Sequence, residues 1–267
     1  MTDPTADTNT YEDPERAASY ATLEYPGTYW LAFRDLPSLI ERHVPGRWAL
    51  DFGCGAGRST RFLQGLGFDV VGVDVSRSML ELARARDPEG RYVHVGAGQE
   101  GLEDGLTDQV PPGSLDLVFA AYPFDNIPGW EKRAGILAAL GRLLQDDGRV
   151  IVLASSPELY RHEWLSFTTA AFPENRRAGS GDPVRIVMKD VPDARPVPDY
   201  LWTDDDYRAM AAAAGLRVLE TARPLGRADE PFDWVTETVV APWAIHVMGR
   251  AEPGAEPRPR RRRSVDS

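Results

Sequence analysis

Three glycines at alternate positions, Gly53, Gly55 and Gly57, follow an acid, Asp51, in the run WALDFGCGAGRST (residues 48–60). The apolar approach to Asp51 has the character of a short buried strand, and the stretch after the glycines that of a helix. Glycine has no Cβ, so a strand-to-helix turn carrying three of them sets flat backbone against a ligand. The spacing is not that of a pyrophosphate-binding turn, which needs G-x-G-x-x-G, so the ligand need not carry phosphate. A second acid, Asp74, ends the run FDVVGVD and falls 21 residues after Gly53. In a βαβ unit the end of the second parallel strand lies beside the glycine loop, where a carboxylate can accept both hydroxyls of a ribose. Ser76 is placed to cap the next helix, and Met79 on its first turn can cover the face of an adenine.

Asp51, the glycines, Asp74 and the run through Met79 resemble the cofactor half of the class I S-adenosylmethionine-dependent methyltransferases, and the resemblance extends over roughly residues 11–250. It implies S-adenosyl-L-methionine as cofactor. It assigns to that cofactor Asp51, Gly53, Cys54, Gly55 and Gly57, with Asp51 toward the methionine part, then Asp74 and Val75 at the ribose, and Met79, Gly98 and Gln99 around the adenine. Many members place an Asp after the third strand, toward the adenine amino group. Here that position is Ala97, and Gln99 or the backbone at Gly98 stands in for it. The resemblance further implies a Rossmann-like α/β fold, a seven-stranded sheet in the order 3-2-1-4-5-7-6 with its last strand antiparallel and helices on both faces.

Short buried strands alternating with helical stretches point the same way. Strands are expected at residues 49–52, 70–74, 91–95, 115–121, 149–154, 216–221 and 243–249. Helices are expected at 58–66, at 130–145 with Gly148 closing it, and at 205–214. Three segments fall outside this sheet: an aromatic-rich N-terminal helical lid (residues 1–43, broken at Pro26-Gly27), a cap insertion (156–204) within the 44–251 domain, and a disordered basic tail (252–267). The cap carries a possible hairpin at 184–188 and 195–201, and its aromatics read either as an acceptor pocket or as a satellite core.

A sulfonium already activates its methyl group, so such an enzyme needs chiefly to hold a nucleophile in line and exclude water. A general base is needed only where the acceptor must lose a proton, and the candidates are Asp125 and His162, with Glu237 an outsider. Tyr20 and Arg34 could reach the cofactor carboxylate; Tyr122 and Asn126 could face the acceptor; His43, His94 and His246 read as structural. The segment Ala121-Tyr122-Pro123-Phe124 lacks the Asp/Asn-Pro-Pro-aromatic motif of relatives that methylate planar amino groups.

Net charge is −11, and the Arg-rich tail makes the remainder more acidic still, so a polyanion is a poor acceptor and nucleic acid is not expected. The single cysteine, Cys54, excludes an internal disulfide and leaves no basis for a Cys-based metal site. A polar, acidic beginning and no long apolar run lead to the expectation of a cytoplasmic protein without membrane contact. The expected activity is methyl transfer to an O, N, S or C atom of a small, partly apolar metabolite in specialised biosynthesis. The alternatives are a non-catalytic S-adenosylmethionine-binding regulatory protein and another transferase on the same fold.

Overall fold

The computed structural model describes residues 12–106 and 108–251. The basic tail (252–267), the first eleven residues and Thr107 lie outside the described residues. In chain order the elements are α1 (Pro14–Ala21), α2 (Thr28–His43), β1 (Trp48–Phe52), α3 (Arg58–Gly65), β2 (Asp69–Asp74), α4 (Arg77–Arg86), β3 (Arg91–His94), α5 (Gly98–Leu106), β4 (Leu115–Ala121), α6 (Trp130–Leu143), β5 (Leu144–Ser155), β6 (Phe167–Thr168), β7 (Pro183–Met188), β8 (Val197–Tyr200), α7 (Asp204–Ala213), β9 (Leu216–Ala222) and β10 (Trp243–Arg250).

Seven strands form one sheet in the order β3-β2-β1-β4-β5-β10-β9, with β10 antiparallel to both neighbours and the β1–β5 pairings parallel. With the cap strands set aside, this is the 3-2-1-4-5-7-6 order that the resemblance implied. Side chains alternate across each strand, which splits the apolar residues between two cores. Leu117, Phe119, Ile151, Leu153, Ile245 and Val247 join α2 and the cap on one face. Leu50, Val118, Ala120, Val150, Val152 and Met248 join α5, α6 and α7 on the other. Parallel strands buried on both faces explain why β1, β4 and β5 read as near-continuous apolar runs.

Two expectations need correction. The helix expected at 130–145 stops at Leu143, and Gly148 does not close it: the chain passes straight into β5, with Asp146, Asp147 and Gly148 inside an irregular part of the β4–β5 pairing. Gly148 is needed there for close approach, since a Cβ would stand 2.6 Å from the Leu115 carbonyl oxygen. The cap hairpin exists as β7 paired with β8, but a third strand, β6, pairs with β7 as well. At two residues, β6 is too short to leave a periodicity in sequence. Tyr160, Trp164 and Phe167 from the cap are fully buried in the same core as α2, so these aromatics pack rather than line an open cleft.

The N-terminal segment forms two helices, α1 and α2, separated at Pro26-Gly27. Asp13 caps α1 through the Glu15 and Arg16 amides. α2 has no cap of its own, and the Ser166 hydroxyl from the cap insertion accepts its Thr28 N–H at 2.9 Å. α1 docks on the β7–β8 turn. There Arg16 pairs with Asp193 (3.1 Å) and donates to the Pro196 carbonyl, Arg195 pairs with Asp13 (2.6 Å), and the Ser19 hydroxyl accepts the Asp193 amide. Among the described residues no helix is long and apolar enough to cross a membrane.

Candidate functional site

The register of β1 against β2, with Phe52 opposite Val73, brings the glycine loop and Asp74 to the same carboxyl edge of the sheet. The Val73 carbonyl accepts from both the Gly53 and Cys54 amides (2.8 and 3.0 Å), which folds the loop back over β2. Asp74 then accepts the Gly55 amide with Oδ2 and the Ser76 amide with Oδ1, each at 2.8 Å. One carboxylate therefore pins the loop and the start of α4, where Ser76 caps the Met79 amide. Burial is the largest influence on Asp74 and raises its pKa, while the backbone donors work against that rise. Gly55 holds φ +53°, a conformation open to glycine, and the nearest atom to a Cβ there is the Met79 methyl at 3.3 Å.

Asp51 is fully buried behind the loop. Its Oδ2 accepts from the Ser59 and Thr60 hydroxyls (2.7 and 2.6 Å) at the start of α3, while Oδ1 has no partner. Burial pushes its pKa up to about 6 against the pull of the two hydroxyls, and the fields of Asp74 and Arg58 both reach it. Cys54 is buried with Leu80, Ala83 and Tyr92, filling space beneath the loop, and burial raises its thiol well above the usual range. Met79 is 3% exposed and packs with Ala56 against Ala17 and Ala21 of α1, so α1 lies directly over the loop. Val75 is exposed at the rim, and its carbonyl contacts the His94 ring at 3.1 Å. Gly98 opens α5 with φ +79°, and the Gln99 side chain donates to Glu103 and lies against α6 at Gly135.

The segment after β4 forms the other wall. Tyr122 holds φ 71°, the one non-glycine residue with positive φ among those described, and its hydroxyl is buried without a partner. Its ring lies 5.7 Å from Tyr29 of α2 and 4.9 Å from Trp243 of β10. Burial raises the Tyr122 phenol well above its ordinary pKa, so it stays protonated and can only donate or accept a hydrogen bond. Asp125 accepts the Ser155 hydroxyl (2.7 Å) and amide (3.0 Å), and burial pushes it up to about 6. Asn126 donates to Asp199 (2.6 Å), which also accepts from Tyr160. Arg133 of α6, invisible in sequence as anything but a helix residue, is fully buried. It stacks on Trp202 and Tyr207 and donates to the Phe124 and Ile127 carbonyls, fixing this turn.

Of the two residues expected to reach the cofactor carboxylate, Tyr20 stands at the loop and Arg34 does not. Arg34 is taken up by Asp35, Glu230 and the Leu225 carbonyl, over the Trp30 ring. Arg58, next to Gly57, stands beside Tyr20 instead, lying over the rings of Tyr20, Tyr25, Tyr29 and Phe33. His162 pairs with Glu158 (3.1 Å) on a partly exposed side, and none of the loop residues is among its partners. Glu237 is a clamp: fully buried, it accepts from the Thr28 hydroxyl, the Leu165 amide and the Val235 and Thr236 amides. Of the structural histidines, His43 pairs with Glu220 and His246 stacks on Tyr207. Among the described residues no cluster of His, Cys, Asp and Glu could hold a metal ion.

Residues 50–152 match the family described as a methyltransferase domain. An uncharacterized methyltransferase of Bacillus licheniformis is 30% identical over 125 residues, covering 46% of this chain and 55% of that protein. The N-demethylindolmycin N-methyltransferase of Streptomyces griseus is 27% identical over 209 residues, covering 77% and 82%. The chain spans about half the length of several of the curated relatives it matches, the ubiquinone biosynthesis O-methyltransferase of Burkholderia vietnamiensis (44%) included. Among solved structures, the CcbJ methyltransferase of Streptomyces caelestis superposes with a TM-score of 0.56 at 19% identity, over 86% of this chain and all of that one. That likeness is one of fold.

Proposed function

We propose, for a chain that belongs to the class I S-adenosylmethionine-dependent methyltransferase family, methyl transfer from S-adenosyl-L-methionine to a nucleophilic O, N, S or C atom of a small organic molecule, in a specialised biosynthetic pathway of the cytoplasm. The observation that carries this reading is the unpartnered Asp51 Oδ1, fully buried behind a glycine loop that Asp74 pins at the sheet edge. A carboxylate oxygen left bare in a buried place costs several kcal/mol unless a ligand meets it. The residues fit the cofactor: the bare Asp51 oxygen would hold its ammonium group, Asp74 has lone pairs left that would take ribose hydroxyls, and Met79 and the 96–99 turn would hold the adenine. When bound, the cofactor supplies a methyl group made electrophilic by its sulfonium.

The protein's part is then to bind, align and dry the reacting pair. α1 with α2 is the lid over the loop, and residues 156–204 are the cap that closes the acceptor side. Tyr122, backed by the buried rings of Tyr29 and Trp243, offers its hydroxyl as a positioning donor to a planar or partly apolar acceptor. Asp125, which burial pushes up to about 6, is the group after β4 that could accept a proton, through Ser155. An acidic chain and a relative named an N-demethylindolmycin N-methyltransferase favour a small molecule over nucleic acid. The test is incubation of the full chain with methyl-labelled S-adenosylmethionine and a small-molecule extract of the source cells, read by mass spectrometry. A labelled low-mass product together with S-adenosylhomocysteine supports the reading. Label confined to protein or nucleic acid refutes the small-molecule acceptor.

A further inference from the structure

One cation in this enclosure, Arg58, has no ion-pair partner among the described residues. The Arg58 guanidinium lies 5.0 Å from the centre of the Tyr29 ring, 5.6 Å from Phe33, 5.7 Å from Tyr20 and 5.9 Å from Tyr25. It donates to the Glu24 carbonyl at 2.9 Å and over a long 3.5 Å to the Tyr20 hydroxyl, and no carboxylate among the described residues comes within ion-pair distance. A guanidinium carries five donors in a planar fork, so most of its capacity here is unspent. Aromatic faces return only about 0.5–2 kcal/mol for such a cation.

A second group points to the same ligand. The Tyr122 hydroxyl is buried without a partner, and the residue sits in a left-handed conformation that costs about 1–3 kcal/mol unless its surroundings demand it. Its ring and the Arg58 guanidinium both pack on Tyr29, and each feels the other's field. The buried Asp51, whose Oδ1 is bare, feels the Arg58 charge.

We propose that Arg58 and the Tyr122 hydroxyl form a carboxylate-binding subsite beside the glycine loop. A carboxylate matches the guanidinium fork with two oxygens and leaves a lone pair for the phenol. This rests on the proposed methyl transfer, which offers two sources of the group: the amino-acid end of the cofactor, whose ammonium Asp51 would take, and an acceptor that is itself a carboxylic acid.

Calorimetry on the full chain separates these. S-adenosylhomocysteine carries the carboxylate, and 5′-methylthioadenosine keeps the adenosine and thioether without it. With the cofactor as source, Arg58→Met weakens S-adenosylhomocysteine thirtyfold or more and leaves 5′-methylthioadenosine within threefold. With the acceptor as source, both nucleosides are unaffected, and the S-adenosylhomocysteine-saturated protein binds benzoate, but not methyl benzoate, in a manner lost in Arg58→Met. Tyr122→Phe, which removes only an oxygen and keeps the packing, weakens the same ligand three- to tenfold. If neither variant changes either ligand, or both nucleosides weaken equally in folded Arg58→Met, the subsite is refuted. Wild-type protein that binds neither nucleoside would instead refute the methyl-transfer reading.

Discussion

Glu237→Gln is expected to be among the most destabilising single-atom changes in this protein. The carboxylate is fully buried, with Oε1 accepting the Thr28 hydroxyl (2.6 Å) and Leu165 amide (2.7 Å), and Oε2 accepting the Val235 (2.9 Å) and Thr236 (3.0 Å) amides. It joins the start of α2, the cap ahead of β6 and the loop before β10 in one knot. An amide at this position keeps one oxygen but turns an NH2 group toward two backbone donors. Two partly buried N–H groups then lose their acceptor, at about 1 kcal/mol each, for a total of about 2 kcal/mol. In a chain of this size each kcal/mol moves the melting temperature by about 2–4 °C, so a fall of about 6 °C is expected by calorimetry or circular dichroism. A fall below about 2 °C would show that the knot does not hold these segments together.

The remaining predictions concern the loop and its lid. Gly55→Val forces a β-branched side chain into φ +53° against Met79, so S-adenosylhomocysteine binding is abolished while the far-ultraviolet dichroism stays native; retained affinity would place the ligand elsewhere. Asp51, raised to about 6 from an unfolded value of about 3.9, keeps its proton longer in the folded state, so its contribution to stability falls as pH rises through that window. Only its ionised form can hold an ammonium group, so affinity for S-adenosylhomocysteine declines below about pH 6, and Asp51→Asn flattens that decline; an unchanged profile in the variant contradicts the role. Arg16→Ala removes the half of the α1–cap tie that pairs with Asp193, and amide hydrogen exchange over residues 14–21 is expected to quicken about tenfold, equivalent to about 1.4 kcal/mol, with β4 and β5 unaffected.

What could be read in the sequence was what depends on local periodicity and on glycine. All seven sheet strands, the loop from Asp51 to Gly57 and the Ser76 cap are set by short-range patterns, and β1 through β5 report their double-sided burial directly. The end of α6 was misplaced because Asp146-Asp147-Gly148 has the composition of a helix stop, while the pairing with β4 decides its conformation. Charged residues were the least legible, since their partners are remote in sequence: Arg34 is claimed by Glu230, Arg58 by an aromatic cage from α1 and α2, and Glu237 by Thr28 and Leu165. Only the position of Arg58, adjacent to the third glycine, carried a signal that could have singled it out.

Asp74 offers the most direct measurement. Isothermal titration of the wild-type chain and of Asp74→Ala with S-adenosylhomocysteine is expected to give one-to-one binding in the first and a loss of at least about a hundredfold in the second, since two charge-assisted ribose hydrogen bonds are worth about 3 kcal/mol together. Absence of binding in the wild-type protein, or equal affinity in the folded variant, would contradict the assignment of this glycine loop and its flanking acids to the cofactor.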